Sequence, residues 1–476
     1  MSRAPYVSFA VRPESPGRRL GSRDVIEALS QELALGRLPV GSRLPPVRVL
    51  EAQLGLSKNT VQTAYDELVA RGLLETRERE GVFVAARSEA QGVPPAFQAP
   101  EPKLRPAPEI GPTRIPRDGI TLSTVFVDPE LLPRERLEEC ARSVLKEGLA
   151  PFYDAQGHPG LREAIARRLR SRGMDVDADE VIVTCGSQQA LDIVARASEV
   201  RRVAIESPTY AHAKLLFENA GMSVTSLPFD PFRGIPLDEW EEEIRRSRPG
   251  LLYNITSFQN PTGYSYSTHE LTSLLSIAER YGAALLEDDW GSDMLSGSEY
   301  RPMLRLLGGK NVLYVNSFTK KLWPSMRVGF IVAAPHLVPA LIAQKRLSAL
   351  GNPWLTEATV AEFLERGYYD AHLASLQREL DARYAACLLA LSELMPAGVR
   401  WTTPGGGPTL WLELPRSVDL EKLRERCAAR RVAIESTRNA FCGSPHLHGF
   451  RVSFAFSPVA TLRRGLEILA EEIARA

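Results

Sequence analysis

Two adjacent lysines, Lys320 and Lys321, stand in the stretch NSFTKKLWPSMRVG (316–329), between an apolar run over 312–315 and a Leu-Trp-Pro that breaks regular structure. A lysine in a largely buried strand-to-helix loop is costly while charged and unpaired. Desolvated, its amine turns neutral more easily and attacks an aldehyde to form a Schiff base. A solvated loop lysine is the bland reading and suits Lys321, whereas Lys320 is the candidate nucleophile. Pyridoxal 5′-phosphate is the aldehyde cofactor that uses this chemistry. It needs a carboxylate at its pyridinium nitrogen, a donor to its phenolic oxygen, a cradle for its phosphate, and a clamp for the carboxylate of an amino compound.

Each need has a candidate beside an apolar run. LLEDDW (285–290) ends such a run in carboxylates, and an aspartate there keeps a ring nitrogen protonated. QNPTG (259–263) forms a turn whose Asn260 amide can donate to the phenolic oxygen. CGSQQAL (185–191) leads from a strand into a helix, so Gly186, Ser187 and Gln188 present N–H groups and a hydroxyl to phosphate. Ser317 and Arg327 flank Lys320 and can complete that cradle. GFRVSF (449–454) offers Arg451, which can hold a carboxylate bidentately. Singly these signals are weak: N-P-T-G is a common turn and a strand arginine is usually an ion pair. Their joint occurrence beside strand ends carries the reading.

The elements that must hold these residues alternate. VIVT (181–184), RVAI (202–205), GLLYNI (250–255), AALLED (283–288), NVLYV (311–315) and VGFIVA (328–333) are short apolar runs, several followed by helical patterns. That pattern predicts a largely parallel sheet covered by helices, with ligands bound outside the strands' carboxyl ends. The front of the chain differs. Ser22 is positioned to cap a helix through Val25, Ile26, Leu29 and Leu33; Pro46 opens a second through Leu54; Ser57 caps a third, KNTVQTAYDELVARG. Short strands over 73–76 and 82–85 flank a hairpin. Lys58, Asn59, Thr60, Gln62 and Thr63 point outward near the start of the third helix, where a recognition helix meets base edges and phosphates, and Arg77 and Arg79 sit at the hairpin tip.

Between the two parts, 88–118 holds eight prolines and no periodicity, as a semi-stiff spacer does. The expected division is therefore 1–87, linker 88–118, and 119–476. At 476 residues two domains or more are needed, and a formal net charge of zero advertises neither nucleic acid nor membrane in bulk. The five cysteines show no ligand-like spacing, so no metal is expected and the thiols read as reduced. With neither an apolar leader nor a long apolar run, the reading is a cytoplasmic protein without a membrane partner.

GRLPVGSRLPPVRVLEAQLGLSKNTVQTAYDELVARGLLETRE resembles the winged helix-turn-helix of GntR-type transcription regulators over residues 20–87. The resemblance implies contacts to operator DNA from Arg48, Lys58, Asn59 and Thr60, at a helix start capped by Ser57. Residues 120–476 resemble fold type I aminotransferases, the aspartate aminotransferase superfamily. There SFTKKLWPSMRVG is close to the lysine signature, with Ser317 marking Lys320 as the Schiff-base residue. Matched to the EDDY of relatives, Asp288 faces the ring nitrogen, and Trp290 replaces a tyrosine that helps hold the phenolic oxygen. SPTYAH (207–212) places Tyr210 over the ring, and FYDAQGHPGLREAIARRL (152–169) matches a segment that crosses between subunits. A GntR-type reader joined to this unit is the architecture of MocR-type regulators. It implies a homodimer, head-to-tail with exchanged DNA-binding units, that senses pyridoxal phosphate, an amino compound, or both. Two other readings stay open: a working aminotransferase with an accessory DNA-binding domain, and a DNA reader on a cofactor-free scaffold.

Overall fold

In the computed structural model the described residues are 6–11, 20–78, 80–86, 119–148, 154–294 and 303–475. Arg79, the proposed linker 88–118, and Phe152 and Tyr153 of the intersubunit segment lie outside them. Two compact units form, Met1–Pro106 and Ala107–Ala476.

The first unit carries helices α1 (Ser22–Ala34), α2 (Val47–Leu54) and α3 (Lys58–Ala70), then a hairpin of β1 (Leu74–Arg77) and β2 (Gly81–Val84). Val25 and Leu29 of α1, Leu50 of α2, and Val61, Ala64 and Leu68 of α3 share one buried cluster, as their helical spacing requires. One expectation shifts: Ser22 is the first helical residue rather than the cap. The cap is Gly21, whose N–H donates to the Asp24 carboxylate at 2.7 Å, the bond from the first turn back to the cap. Ser57 does cap α3, accepting the Thr60 N–H at 3.2 Å, an interaction worth about 1 kcal/mol.

In the second unit the strands are β3 (Ile120–Thr121), β4 (Val181–Thr184), β5 (Arg202–Ser207), β6 (Ser223–Pro228), β7 (Leu251–Asn254), β8 (Ala284–Asp289), β9 (Val312–Ser317), β10 (Gly329–Val332), β11 (Arg400–Trp401), β12 (Thr409–Glu413), β13 (Val432–Ala433) and β14 (Gly449–Ser453). Seven form the central sheet in the order β4-β10-β9-β8-β7-β5-β6; β10 runs antiparallel to both neighbours and the other pairs are parallel. All six apolar runs read from the sequence are strands of this sheet. Edge strand β6, SVTSLP, gave no such run, because an edge is only half covered and tolerates serines. VIVT, LLYN and GFIV are buried at every position, which layers on both faces demand. A second sheet, β11-β12-β14, is antiparallel, and β13 pairs with β3. Among the described residues no helix is long and apolar enough to cross a membrane.

Three connections gather the chemically active residues. The loop 318–328 joins β9 to β10 at the carboxyl end of β9, β4 runs through Cys185 into the helix Gly186–Ala197, and β7 leads to the turn 259–263. All open at one end of the sheet, where β8 ends in Asp288 and Asp289 opposite Val315 and Asn316 of β9.

Candidate functional site

The two lysines of the 318–328 loop have opposite fates. Lys320 lines a cavity of about 920 Å³, with its ammonium 3.9 Å above the Phe126 ring. Burial, with Arg451 and Arg327 adding repulsion, pushes its pKa down to about 7. Lys321, expected as a solvated loop residue, is instead buried and pairs with Asp293 at 2.8 Å. A partner 28 positions upstream supplies the compensation that local sequence does not show. This contrast separates the two amines: one lines the cavity, the other is locked in an ion pair.

Ser317 holds the loop in shape. Its hydroxyl donates to Val328 O at 3.1 Å and accepts the Thr319 N–H at 3.0 Å. Arg327 adopts a left-handed backbone (φ 52°), and its guanidinium donates to Cys185 O at 3.2 Å over the start of the helix Gly186–Ala197. A Cβ added at Gly186 (φ +76°) would come within 2.5 Å of Arg327 Nη2. Glycine is needed there both for the backbone and for the close approach. Helix N–H groups beneath a guanidinium make a cradle for a phosphate. Ser187 and Gln188 lie in that first turn, and Gln188 Oε1 accepts the Tyr210 hydroxyl at 3.1 Å.

Asp288 is fully buried; Tyr253 donates to Oδ2 at 2.8 Å, and Oδ1 has no hydrogen-bond partner. Burial, with the Asp289 charge adding to it and the Tyr253 bond opposing, pushes its pKa up to about 7. An orphaned carboxylate oxygen at a strand end fits the protonated nitrogen of a heteroaromatic ring. Asn260 and Arg451 meet across the cavity: Arg451 Nη1 donates to Asn260 Oδ1 at 2.7 Å and Nη2 to Ser123 O at 2.5 Å. By taking Oδ1, Arg451 turns the Asn260 NH₂ free to donate elsewhere. Trp290, which stands in the place of the tyrosine of relatives, donates its indole N–H to Phe258 O at 3.1 Å and so braces the backbone there. Lys320, Tyr210, Asn260, Arg327 and Arg451 thus share one cavity wall, while Asp288, Ser317 and the 186–188 turn lie in the elements that build it.

Phe126, Ser123, His212 and Glu435 also line the cavity and went unrecognised. His212 stood in the quoted SPTYAH and was legible as a second polar group two residues from Tyr210. Burial and the Lys320 charge hold its pKa below the usual imidazole range. Phe126 and Glu435 lie in segments without motif or period, and Glu435 sits 3.7 Å from Arg451.

In the first unit Arg48, Ser57, Lys58, Asn59, Gln62 and Thr63 are exposed, so α3 presents an open polar face. The Ser57 and Thr60 hydroxyls bond one another at 2.8 Å, and Gln62 donates to Asp66 at 2.8 Å. Arg77 is exposed, with Glu75 taking its guanidinium at 2.6 Å and the Phe83 ring 4.4 Å from it.

Residues 129–469 match the family described as aminotransferase class I and II. The chain belongs to that family. Residues 22–84 match bacterial regulatory proteins of the gntR family, so this aminotransferase-family unit is fused to a GntR-type DNA-binding unit. A probable rhizopine catabolism regulatory protein MocR from Rhizobium meliloti is 31% identical over 94% of this chain and 92% of that one. It matches both units in one polypeptide, the MocR-type architecture. The aromatic-amino-acid aminotransferase 1 of Thermococcus litoralis is 30% identical over 75% of this chain and 88% of its own. Among solved structures, LysN, an alpha-aminoadipate aminotransferase from Thermus thermophilus, superposes with a TM-score of 0.70 at 31% identity, covering 75% of this chain and 93% of that one. Aminotransferases of this family depend on pyridoxal 5′-phosphate, and the unpartnered Asp288 oxygen, the Gly186 cradle and the cavity-facing Lys320 fit that group.

Proposed function

We propose that this chain is a transcription regulator whose GntR-type unit binds operator DNA under the control of a ligand, pyridoxal phosphate or a small amino compound, held in the Lys320 cavity. The observation that carries the proposal is the coexistence, in one polypeptide, of a GntR-type unit with an exposed polar face on α3 and an aminotransferase-family unit whose cavity gathers Lys320, Tyr210, Asn260, Arg327 and Arg451. When bound, pyridoxal phosphate supplies an aldehyde that condenses with amines and a ring that withdraws electrons. Lys320 offers the amine, half-neutral near pH 7. Asp288 would take the proton of the ring nitrogen at its free oxygen, Asn260 would donate to the phenolic oxygen, and Tyr210 would cover the ring. Gly186, Ser187, Gln188 and Arg327, with Ser317 shaping their loop, would hold the phosphate. Arg451 would exchange Asn260 and Ser123 for an effector's carboxylate.

On the DNA side Arg48, Ser57, Lys58, Asn59, Thr60, Gln62 and Thr63 would make the contacts, with Arg77 a lesser contributor while Glu75 holds it. The active species would be a cytoplasmic homodimer, head-to-tail with exchanged DNA-binding units, and the division 1–87, 88–118 and 119–476 belongs to the same proposal. A ligand changes DNA affinity only by binding two arrangements unequally, with couplings typically ~1–3 kcal/mol. The test pairs two measurements. Purified protein should carry the cofactor's visible absorbance, which Lys320→Ala removes without unfolding, and operator binding should change when an amino compound is added. An unchanged spectrum in Lys320→Ala refutes the attachment. A second reading, an aminotransferase with an accessory DNA-binding unit, is favoured by the intact set of Lys320, Asp288, Asn260 and Arg451. Steady conversion of an amino acid and a keto acid without sequence-selective DNA binding would establish it instead.

A further inference from the structure

We propose that Lys321, not only Lys320, belongs to the machinery of the cavity. It acts as a positioning residue whose buried ammonium fixes the Lys320 loop and supplies the counter-charge for the acidic end of β8. The inference rests on the reading of the Lys320 cavity as a pyridoxal phosphate site.

Its geometry is that of a junction. Lys321 Nζ lies 2.8 Å from Asp293 Oδ1 and donates to Asn316 Oδ1 at 2.9 Å. Asn316 in turn donates to Asp289 Oδ2 at 3.2 Å and to the Tyr314 hydroxyl at 2.7 Å. The backbone carbonyl of Lys321 is held by His372 Nε2 at 2.7 Å. The loop is therefore tied to both ends of the 289–293 segment and to the helix Tyr368–Leu394. It cannot turn about Lys321 without unpairing a buried cation, which is costly. With that side chain committed inward, Lys320 is left facing the Phe126 side of the cavity.

The charges point the same way. Asp288, Asp289 and Asp293 are all buried, three carboxylates within six residues. Tyr253 of β7 faces Asp288. Asp289 accepts from Tyr314, Ser292 and Asn316. Tyr369, Arg168 and Arg172 face Asp293, at 3.0, 4.0 and 3.9 Å. Against burial, Lys321, Arg172 and Arg168 hold Asp293 well below the usual carboxylate range. Asp288 has no such shell: burial raises it, the Tyr253 hydrogen bond lowers it, Asp289 raises it, and the Lys321 charge, linked to Asp289 through Asn316, adds a smaller lowering. Lys321 thereby keeps Asp288 closer to the anion that a protonated ring nitrogen requires.

The experiment uses the full chain with Lys321→Arg, Lys321→Met and the double variant Lys321→Met/Asp293→Asn. In protein freed of cofactor, the carboxylic-acid C=O infrared band that disappears in Asp288→Asn is followed against pH. Its midpoint should rise in Lys321→Met, the direction expected for losing an opposite charge, and return in Lys321→Arg. Release of pyridoxal phosphate from loaded protein should be several-fold faster in Lys321→Met, again restored by arginine. A folded Lys321→Met with wild-type midpoint and release, or an arginine variant that restores neither, overturns the proposal. Should Lys321→Met not fold, the double variant, which removes the Asp293 charge together with that of Lys321, decides through release of pyridoxal phosphate: faster release supports the positioning role and wild-type release overturns it. If wild-type protein takes up no pyridoxal phosphate, the reading of the cavity fails, while the infrared midpoint still decides the role of Lys321.

Discussion

Lys320 is useful only as the neutral amine, and with a pKa of about 7 it becomes so across the physiological range. Its folded pKa lies below that of a free lysine, so the neutral fraction grows as pH rises through about 7. The rate of pyridoxal phosphate uptake, followed by absorbance after mixing, should therefore climb between about pH 6 and pH 8 and then level off; an ordinary lysine would keep climbing toward pH 10. The candidate residues were legible because their types are scarce at strand ends: a lysine after a serine, an aspartate closing an apolar run, an arginine inside one. Lys321 was misread because its partner Asp293 lies on a different segment. The bond of Trp290 was not legible at all, because a donor's target, here Phe258 O, is invisible without the fold.

Strand ends and glycines turn those residues into a site, and two substitutions isolate that contribution. Gly186→Ala puts a methyl where Arg327 Nη2 now stands, 2.5 Å away, on a backbone of φ +76°. Phosphate affinity should fall, read as weaker retention of pyridoxal phosphate on dialysis, and the melting temperature should drop as well, because the left-handed backbone strains any side chain even though the exposed guanidinium can move. Gly449→Ala acts differently. Its Cβ would lie 1.9 Å from Leu412 O, across the pairing of β12 with β14, so the strands must separate and Arg451 shifts with them. Here stability should drop by about 1–3 kcal/mol, measured by denaturant unfolding, the cost typical of overpacking. The central strands were readable as apolar runs because both faces are covered. The pairing of β13 with β3 was not, since two-residue strands carry no period and are fixed by tertiary contact alone.

For the molecule as a whole, buried carboxylates set a pH dependence in the large unit and exposed cations set a salt dependence in the small one. Glu206, Glu287 and Asp288 are each pushed up to about 7 by burial. A folded pKa above the unfolded one means that folding favours the protonated form. Stability of the cofactor-free protein is thus greatest below about pH 4 with respect to these groups and declines as pH rises toward 7. Thermal melts across that window should show the decline, lessened in Asp288→Asn.

The DNA-binding unit responds to ions instead, because Lys58 stands exposed at the first turn of α3, where helix N–H groups and a cation together suit a phosphate. A phosphate contact releases bound counterions, so affinity falls with salt in proportion to the number of such contacts. Lys58→Ala should weaken binding to operator and unrelated DNA alike and lower the slope of log K against log salt by about one. Asn59→Ala should instead narrow the gap between operator and unrelated DNA while leaving the slope in place. Titrations by fluorescence anisotropy at several salt concentrations separate the two outcomes. If Lys58→Ala left affinity and slope untouched, α3 would not be the helix that meets the duplex.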